Sequence, residues 1–199
     1  MTRTVTALFD RYEDASAAVK NLETLGVADS DISMVANNAE NWHKADRPSD
    51  APADAGIGAG IGAVAGGGAG LLAGLGMMAI PGVGPVVAAG WLVATAACAL
   101  LGAAAGGAAG GIVGALTTSG VPENHAHVYA EGVRRGGTLV TARVADDRVA
   151  EANAVLERSR PVNVDTRGNA YRQAGWSRFD ADAPVYTDEQ VRRERDLYP

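Results

Sequence analysis

Between Ala55 and Pro122 this chain of 199 residues contains no Asp, Glu, Lys, Arg or His. Almost all charge therefore sits in the two flanks. Other absences narrow the function. The sequence holds one cysteine, Cys98, inside the uncharged stretch, so an intramolecular disulfide is excluded and a reducing compartment fits. A formal net charge of −6 with no basic block argues against electrostatic nucleic-acid binding. Met1-Thr2-Arg3-Thr4 leads into a strand pattern instead of the apolar run of a signal peptide, and the flanks are expected to stay in the cytoplasm.

Motifs for chemistry are equally scarce. There is no G-K-[ST], which excludes a Walker loop, and no serine lies in a G-x-S-x-G context. Gly58-Ala59-Gly60-Ile61-Gly62-Ala63 matches a loose dinucleotide pattern, but a polar linker precedes it and no acid follows before Glu123. His125 and His127 stand two apart, so on a helix they point away from each other and cannot share a metal. Cys98 has no cationic neighbour to lower its pKa. Asp10, Glu13 and Asp14, and likewise Asp146 and Asp147, fall at helix starts, where capping and the helix dipole explain them. No catalytic residue, cofactor or metal is predicted, and the chain is expected not to be an enzyme.

What the uncharged stretch does hold is a glycine stripe. Gly58, Gly62, Gly66, Gly70 and Gly74 recur every four residues, and Gly102, Gly106, Gly110 and Gly114 repeat the interval after Ile80-Pro81-Gly82-Val83-Gly84-Pro85. An interval of four lines up glycines on one side of a helix, where a second backbone can approach closely. Each Gly costs a water-exposed helix about 1 kcal/mol against Ala, so tight packing, a membrane, or both must compensate. The pattern predicts a glycine-zipper hairpin over 55–121, with helices at 56–79 and 86–116. Its turn residues are Pro81, Gly82, Gly84 and Pro85. At 1.5 Å per residue either helix could cross a hydrocarbon core of about 30 Å.

The flanks read as one domain split by that hairpin. Thr4–Phe9 is strand-like, Asp10 and Glu13 resemble a capping box, and a helix with Ala15, Ala18, Val19, Leu22 and Leu25 on one face stops at Gly26. Residues 32–36 form a second strand, closing the first β-α-β half over 4–36. A polar linker covers 37–54 and contains Trp42. The second half, 122–166, predicts a helix ending at Gly136-Gly137, a strand at 138–144, a helix after Asp147 and a short strand at 161–164. The expected fold class is α+β, a ferredoxin-like four-stranded sheet interrupted by the helical hairpin. Residues 167–199 read as a polar tail, with a short helix over 188–196. Trp176 and Phe179 are its candidate partner-docking residues, set against the favoured reading of an extended tail folded back on its own domain or a neighbouring subunit.

Several of these stretches resemble the bacterial general stress proteins described as heat-induced or low-temperature-induced. The resemblance rests on Val5-Thr6-Ala7-Leu8-Phe9-Asp10, Asp31-Ile32-Ser33-Met34-Val35, the loop from Ile80 to Pro85, and Gly120-Val121-Pro122-Glu123 through Leu139-Val140-Thr141. It implies a role in stress tolerance and brings no catalytic residues. Together the residues and the resemblance predict a non-enzymatic stress protein. Its cytoplasmic domain would carry a hairpin that enters the inner membrane as transmembrane helices and self-assembles. The alternative is a soluble cytoplasmic oligomer, a binding module whose hairpins form the assembly core and whose sheet edge or tail recruits a partner.

Overall fold

The computed structural model describes residues 1–43, 71, 75–95 and 111–198. The fold is α+β, built on one five-stranded antiparallel sheet in the order β1-β5-β2-β4-β3. The strands are β1 (Thr2–Phe9), β2 (Ile32–Asn37), β3 (Gly76–Ile80), β4 (Gly84–Gly90) and β5 (Thr138–Ala145). β1 and β2 each pair with β5, so β5 lies between the two strands that helix α1 (Tyr12–Thr24) connects. This is a split β-α-β unit.

Strand alternation sends side chains to two cores. On one face Val5, Ala7, Phe9, Met34 and Val140 pack with Ala15, Val19 and Leu22 of α1. Ala152, Val155 and Leu156 of α4 (Val149–Arg158) complete that core. On the other, Leu8, Val35, Val86, Ala88 and Leu139 pack with α2 (Gly111–Thr118) and α3 (Glu123–Arg134). The apolar spacing of α1 explains its orientation, and its stop at Gly26 is closed by Val27 N–H donating to Leu22 O at 3.0 Å.

The largest departure from the sequence reading lies at the apex of the expected helical hairpin. Residues 76–79 and 86–90, assigned there to helices, lie in strands β3 (Gly76–Ile80) and β4 (Gly84–Gly90). The reason is local. Ile80-Pro81-Gly82-Val83 makes a tight turn with Val83 N–H donating to Ile80 O at 3.0 Å and Gly82 at φ +71°, the combination a type II turn requires. β-Branched Val86 and Val87 then follow in the strand, which pairs with both β3 and β2. Pro81 and Gly82 thus lie in the turn of a β-hairpin, while Gly84 and Pro85 open β4 opposite Ile80 and Ala79.

Among the described residues no helix is long and apolar enough to cross a membrane. The transmembrane helices are corrected accordingly, since the apex of the hairpin is part of the sheet, and nothing among the described residues supports the inner-membrane placement drawn from them. Gly58, Gly62, Gly66, Gly70, Gly74, Gly102, Gly106 and Gly110 lie outside the described residues, whereas Gly114 is buried in α2. Residues 91–95 and α2 are helical, as expected for that part of the second helix.

Three smaller corrections concern the flanks. The strand predicted at 161–164 does not form, because Asn163 Oδ1 accepts from Thr166 N–H at 2.9 Å and starts helix α5 (Val164–Gln173). Asp10 is not a cap; α1 begins after Arg11 without a side-chain cap, and Asp10 binds Arg167 instead. The tail lacks the fully extended course read for it and packs back on the domain, the arrangement favoured over partner docking, and its last helix, α6 (Asp188–Asp196), falls where the sequence placed it. There Thr187 and Gln190 form a reciprocal capping box.

Candidate functional site

The early end of the fourth predicted strand leaves an open edge on β1. Val162 N–H donates to Leu8 O at 2.7 Å, a single strand-like bond, before Asn163 turns the chain into α5. Because Leu8 presents its carbonyl outward and Met1 O accepts from Asp146 N–H on the β5 side, the backbone groups of Thr2, Thr4 and Thr6 also face away from β5. Among the described residues no backbone group pairs with the outward N–H groups of Thr4 and Thr6.

That edge is the floor of a cleft. Its wider part has a volume of about 540 Å3 and lies between Val121, Pro122, His125 and Tyr129 on one side and Val149 and Asn153 on the other. A narrower part of about 180 Å3 continues past Thr6 to Leu156, Glu157 and Val162. Thr6, Tyr129 and Asn153 line both parts. The walls come from helices on opposite faces of the sheet, so the cleft opens along the edge of β1 in the plane of the sheet.

Polar side chains line much of the cleft. Tyr129 Oη stands 3.4 Å from Thr6 O, and its pKa is pushed up to about 12 by burial, with the nearby charge of Asp165 adding to the effect. His125 Nε2 lies 3.0 Å from Asp165 Oδ1 at the rim. Thr6 Oγ1 is buried without a hydrogen-bond partner. Ser119 Oγ donates to Ala115 O at 2.7 Å, so the one serine lining the wider part is engaged as a helix-end bond. Among the described residues no group of His, Cys, Asp and Glu could hold a metal ion. The arrangement offers backbone donors and acceptors between walls of mixed character, Val121, Tyr129, Val149 and Leu156 alternating with His125, Asn153 and Glu157, which is the equipment for strand addition.

A second cluster fastens the tail. Arg167 forms a two-point pair with Asp10, both bonds 2.7 Å, and its guanidinium lies 3.5 Å from the centre of the Tyr198 ring. Burial works against the charge of Arg167, but the bonds to Asp10 and Tyr171 outweigh it and raise its pKa. Glu131 is fully buried and accepts from Arg135 at 2.7 Å and Arg134 at 3.2 Å. Arg135 continues to Glu194 of α6 at 3.1 Å and lies over Tyr171. Arg134 donates to Pro184 O at 2.7 Å and lies over Tyr186. Arg195 binds Glu40 and Gly136 O, tying α6 to the segment after β2.

Trp176 and Phe179, singled out for a partner, are engaged by the chain itself. Phe179 is 8% exposed in the core beneath α3, and Trp176 meets Tyr171 edge-on at 5.7 Å. Trp42 rests on Tyr12, with ring centres 4.5 Å apart, and donates to Asn37 O.

The sequence reading missed both the cleft and the fastening. Asn163 ahead of an acidic residue is a helix-start signal that would have shortened the last strand, and Glu131 with Arg134 and Arg135 is an i, i+3, i+4 charge pattern. The chain matches no family model, no curated protein and no solved structure, so what this site does is argued from its own geometry.

Proposed function

We propose that this chain is a non-enzymatic binding module that holds an extended segment of a partner protein along β1. The observation that carries the reading is the outward edge of Thr2 to Thr6, whose Thr4 and Thr6 N–H groups have no backbone partner among the described residues, set in a cleft between helices of the two faces. Strand addition draws affinity from main-chain hydrogen bonds and specificity from alternate side chains against the walls. The resemblance to general stress proteins gives the setting, a chain needed when partner proteins expose extended segments. In ferredoxin-like terms, β1, β5 and β2 with α1 and α4 are the retained elements, and the missing fourth strand is the place the partner takes.

The test uses hydrogen exchange of the full chain with a panel of short Thr- and Val-rich synthetic peptides. A bound strand slows exchange at the Thr4 and Thr6 amides by about tenfold or more when peptide is well above its dissociation constant. Thr4→Pro removes the central outward N–H at an edge position where proline is tolerated. It should abolish the protection and leave the β5-side bonds intact. Protection that persists in Thr4→Pro, or no protection by any peptide, overturns the reading.

A second reading, self-assembly, draws on the opposite edge. β3 carries no charge, Met77 is 45% exposed, and Gly76 and Ala79 are exposed beside it. Such an edge favours pairing with a second copy. Sedimentation of wild type against Met77→Lys tests it: the variant should be smaller, and an unchanged size would exclude β3 from the assembly.

A further inference from the structure

We infer that the segment held along β1 is basic at its N-terminal end and runs antiparallel to β1, an inference that rests on the strand-addition reading above. Val162 already occupies Leu8 O, so the added strand is confined to the stretch opposite Thr2 to Thr6. Five residues at about 3.4 Å each fill that length. Thr2, Thr4 and Thr6 each turn both backbone groups outward, and the antiparallel direction follows the sheet, in which every strand pairing among the described residues is antiparallel. The strand's N-terminal end then lies at Thr6 and its C-terminal end at Thr2.

The two ends differ in charge. At the Thr2 end, one carboxylate, Asp146, is shared by Arg3 at 3.1 Å and the Met1 ammonium at 3.8 Å, so cations outnumber acids there. At the Thr6 end, the lining carries two exposed carboxylates, Glu157 and Asp165. Asp165 has His125 at 3.0 Å, and among the described residues Glu157 has no cation within ion-pair distance. Nearby Arg160 is engaged by Asp14 at 2.7 Å. A Lys or Arg at the first position of the incoming strand complements this end, while Val149, Leu156 and Tyr129 favour β-branched residues behind it.

Three synthetic peptides sharing a Val-Thr-Val centre decide the matter: Lys-Val-Thr-Val-Thr, Thr-Val-Thr-Val-Lys and Glu-Val-Thr-Val-Thr, each with blocked ends and a fluorophore. Binding to the full chain is followed by anisotropy, and its place by amide exchange at Thr4 and Thr6. The Lys-first peptide should bind about tenfold tighter than the Glu-first one, with the gap narrowing as salt rises. Glu157→Lys, a substitution on an exposed helix surface, should reverse the order of those two peptides. If all three protect Thr4 and Thr6 with equal affinity, the cleft takes strands and the basic-segment inference falls. If the Lys-last peptide binds tightest, the antiparallel direction falls. If none protects those amides, the strand-addition reading falls and this inference with it.

Discussion

Arg167 and Asp10, 157 positions apart in sequence, meet through two parallel hydrogen bonds of 2.7 Å. The pair joins the turn between β1 and α1 to α5, and so fixes the helix whose start cuts short the fourth strand. Tyr198 covers the guanidinium, so the tail closes over the pair.

Asp10→Asn should therefore destabilise the fold. Arg167 is 9% exposed and would keep its charge beside a weaker acceptor, while Asp10 is 28% exposed and partly screened. Losing one partner of a fully buried pair costs about 3–5 kcal/mol. About 2 kcal/mol is expected here after that discount. Urea unfolding against Arg11→Ala, which breaks a more exposed pair with Asp14, gives the comparison. Equal midpoints for the two variants would mean that the Asp10 contact does not hold α5.

The burial of Phe179 leads to a second expectation. Phe179→Ala should lower stability by about 3 kcal/mol, the range for emptying a buried aromatic site, and exposed Arg178→Ala should change it little. Matching effects of the two substitutions would return Phe179 to the surface role that its place in a polar tail first indicated.

Much of the sheet was readable because its signals are local. β1, β2 and β5 are short runs carrying β-branched residues between turn signals, and Gly26 and Gly136-Gly137 end their helices where expected. The apex of the central stretch was not, because Ile80-Pro81-Gly82-Val83 punctuates a helical or a strand pair equally well. The pairing of β4 with β2 is the non-local contact that favours strands. The cleft on β1 was hidden for a similar reason. A free edge is defined by the strand that is missing beside it, and only Asn163 marks that absence in sequence. The tail looked extended because its aromatics lack periodicity; they are placed by Arg134, Arg135 and Arg167 from other elements.

Two glycines separate backbone strain from steric contact. Gly82 and Gly120 both have positive φ, +71° and +92°. A Cβ at Gly120 would meet nothing within 4 Å, whereas one at Gly82 would lie 2.6 Å from Ala181 Cα and 2.7 Å from Asp180 O. Gly120→Ala should cost about 1 kcal/mol from conformation alone. Gly82→Ala should cost clearly more and loosen residues 180–185 from the β-hairpin, seen as faster amide exchange there. Equal losses would mean that the tail does not rest on the turn.

Buried phenols set the alkaline limit of the fold. Burial is the main cause that pushes both Tyr129 and Tyr171 up to about 12; Asp165 adds to the shift of the first, and Arg167 and Arg135 oppose that of the second. In the unfolded chain both titrate near 10. Above pH 10 the unfolded state therefore binds fewer protons than the native state, and stability falls as pH rises. The stabilisation is complete below pH 10 and is lost through pH 12, with each tyrosine accounting for up to about 3 kcal/mol. Denaturant unfolding followed across that window, with tyrosinate absorbance as a second signal, should show a downward slope that Tyr129→Phe makes shallower by about one proton. A level free energy between pH 10 and 12 would place water at both phenols, and would open the wall of the β1 cleft that Tyr129 forms.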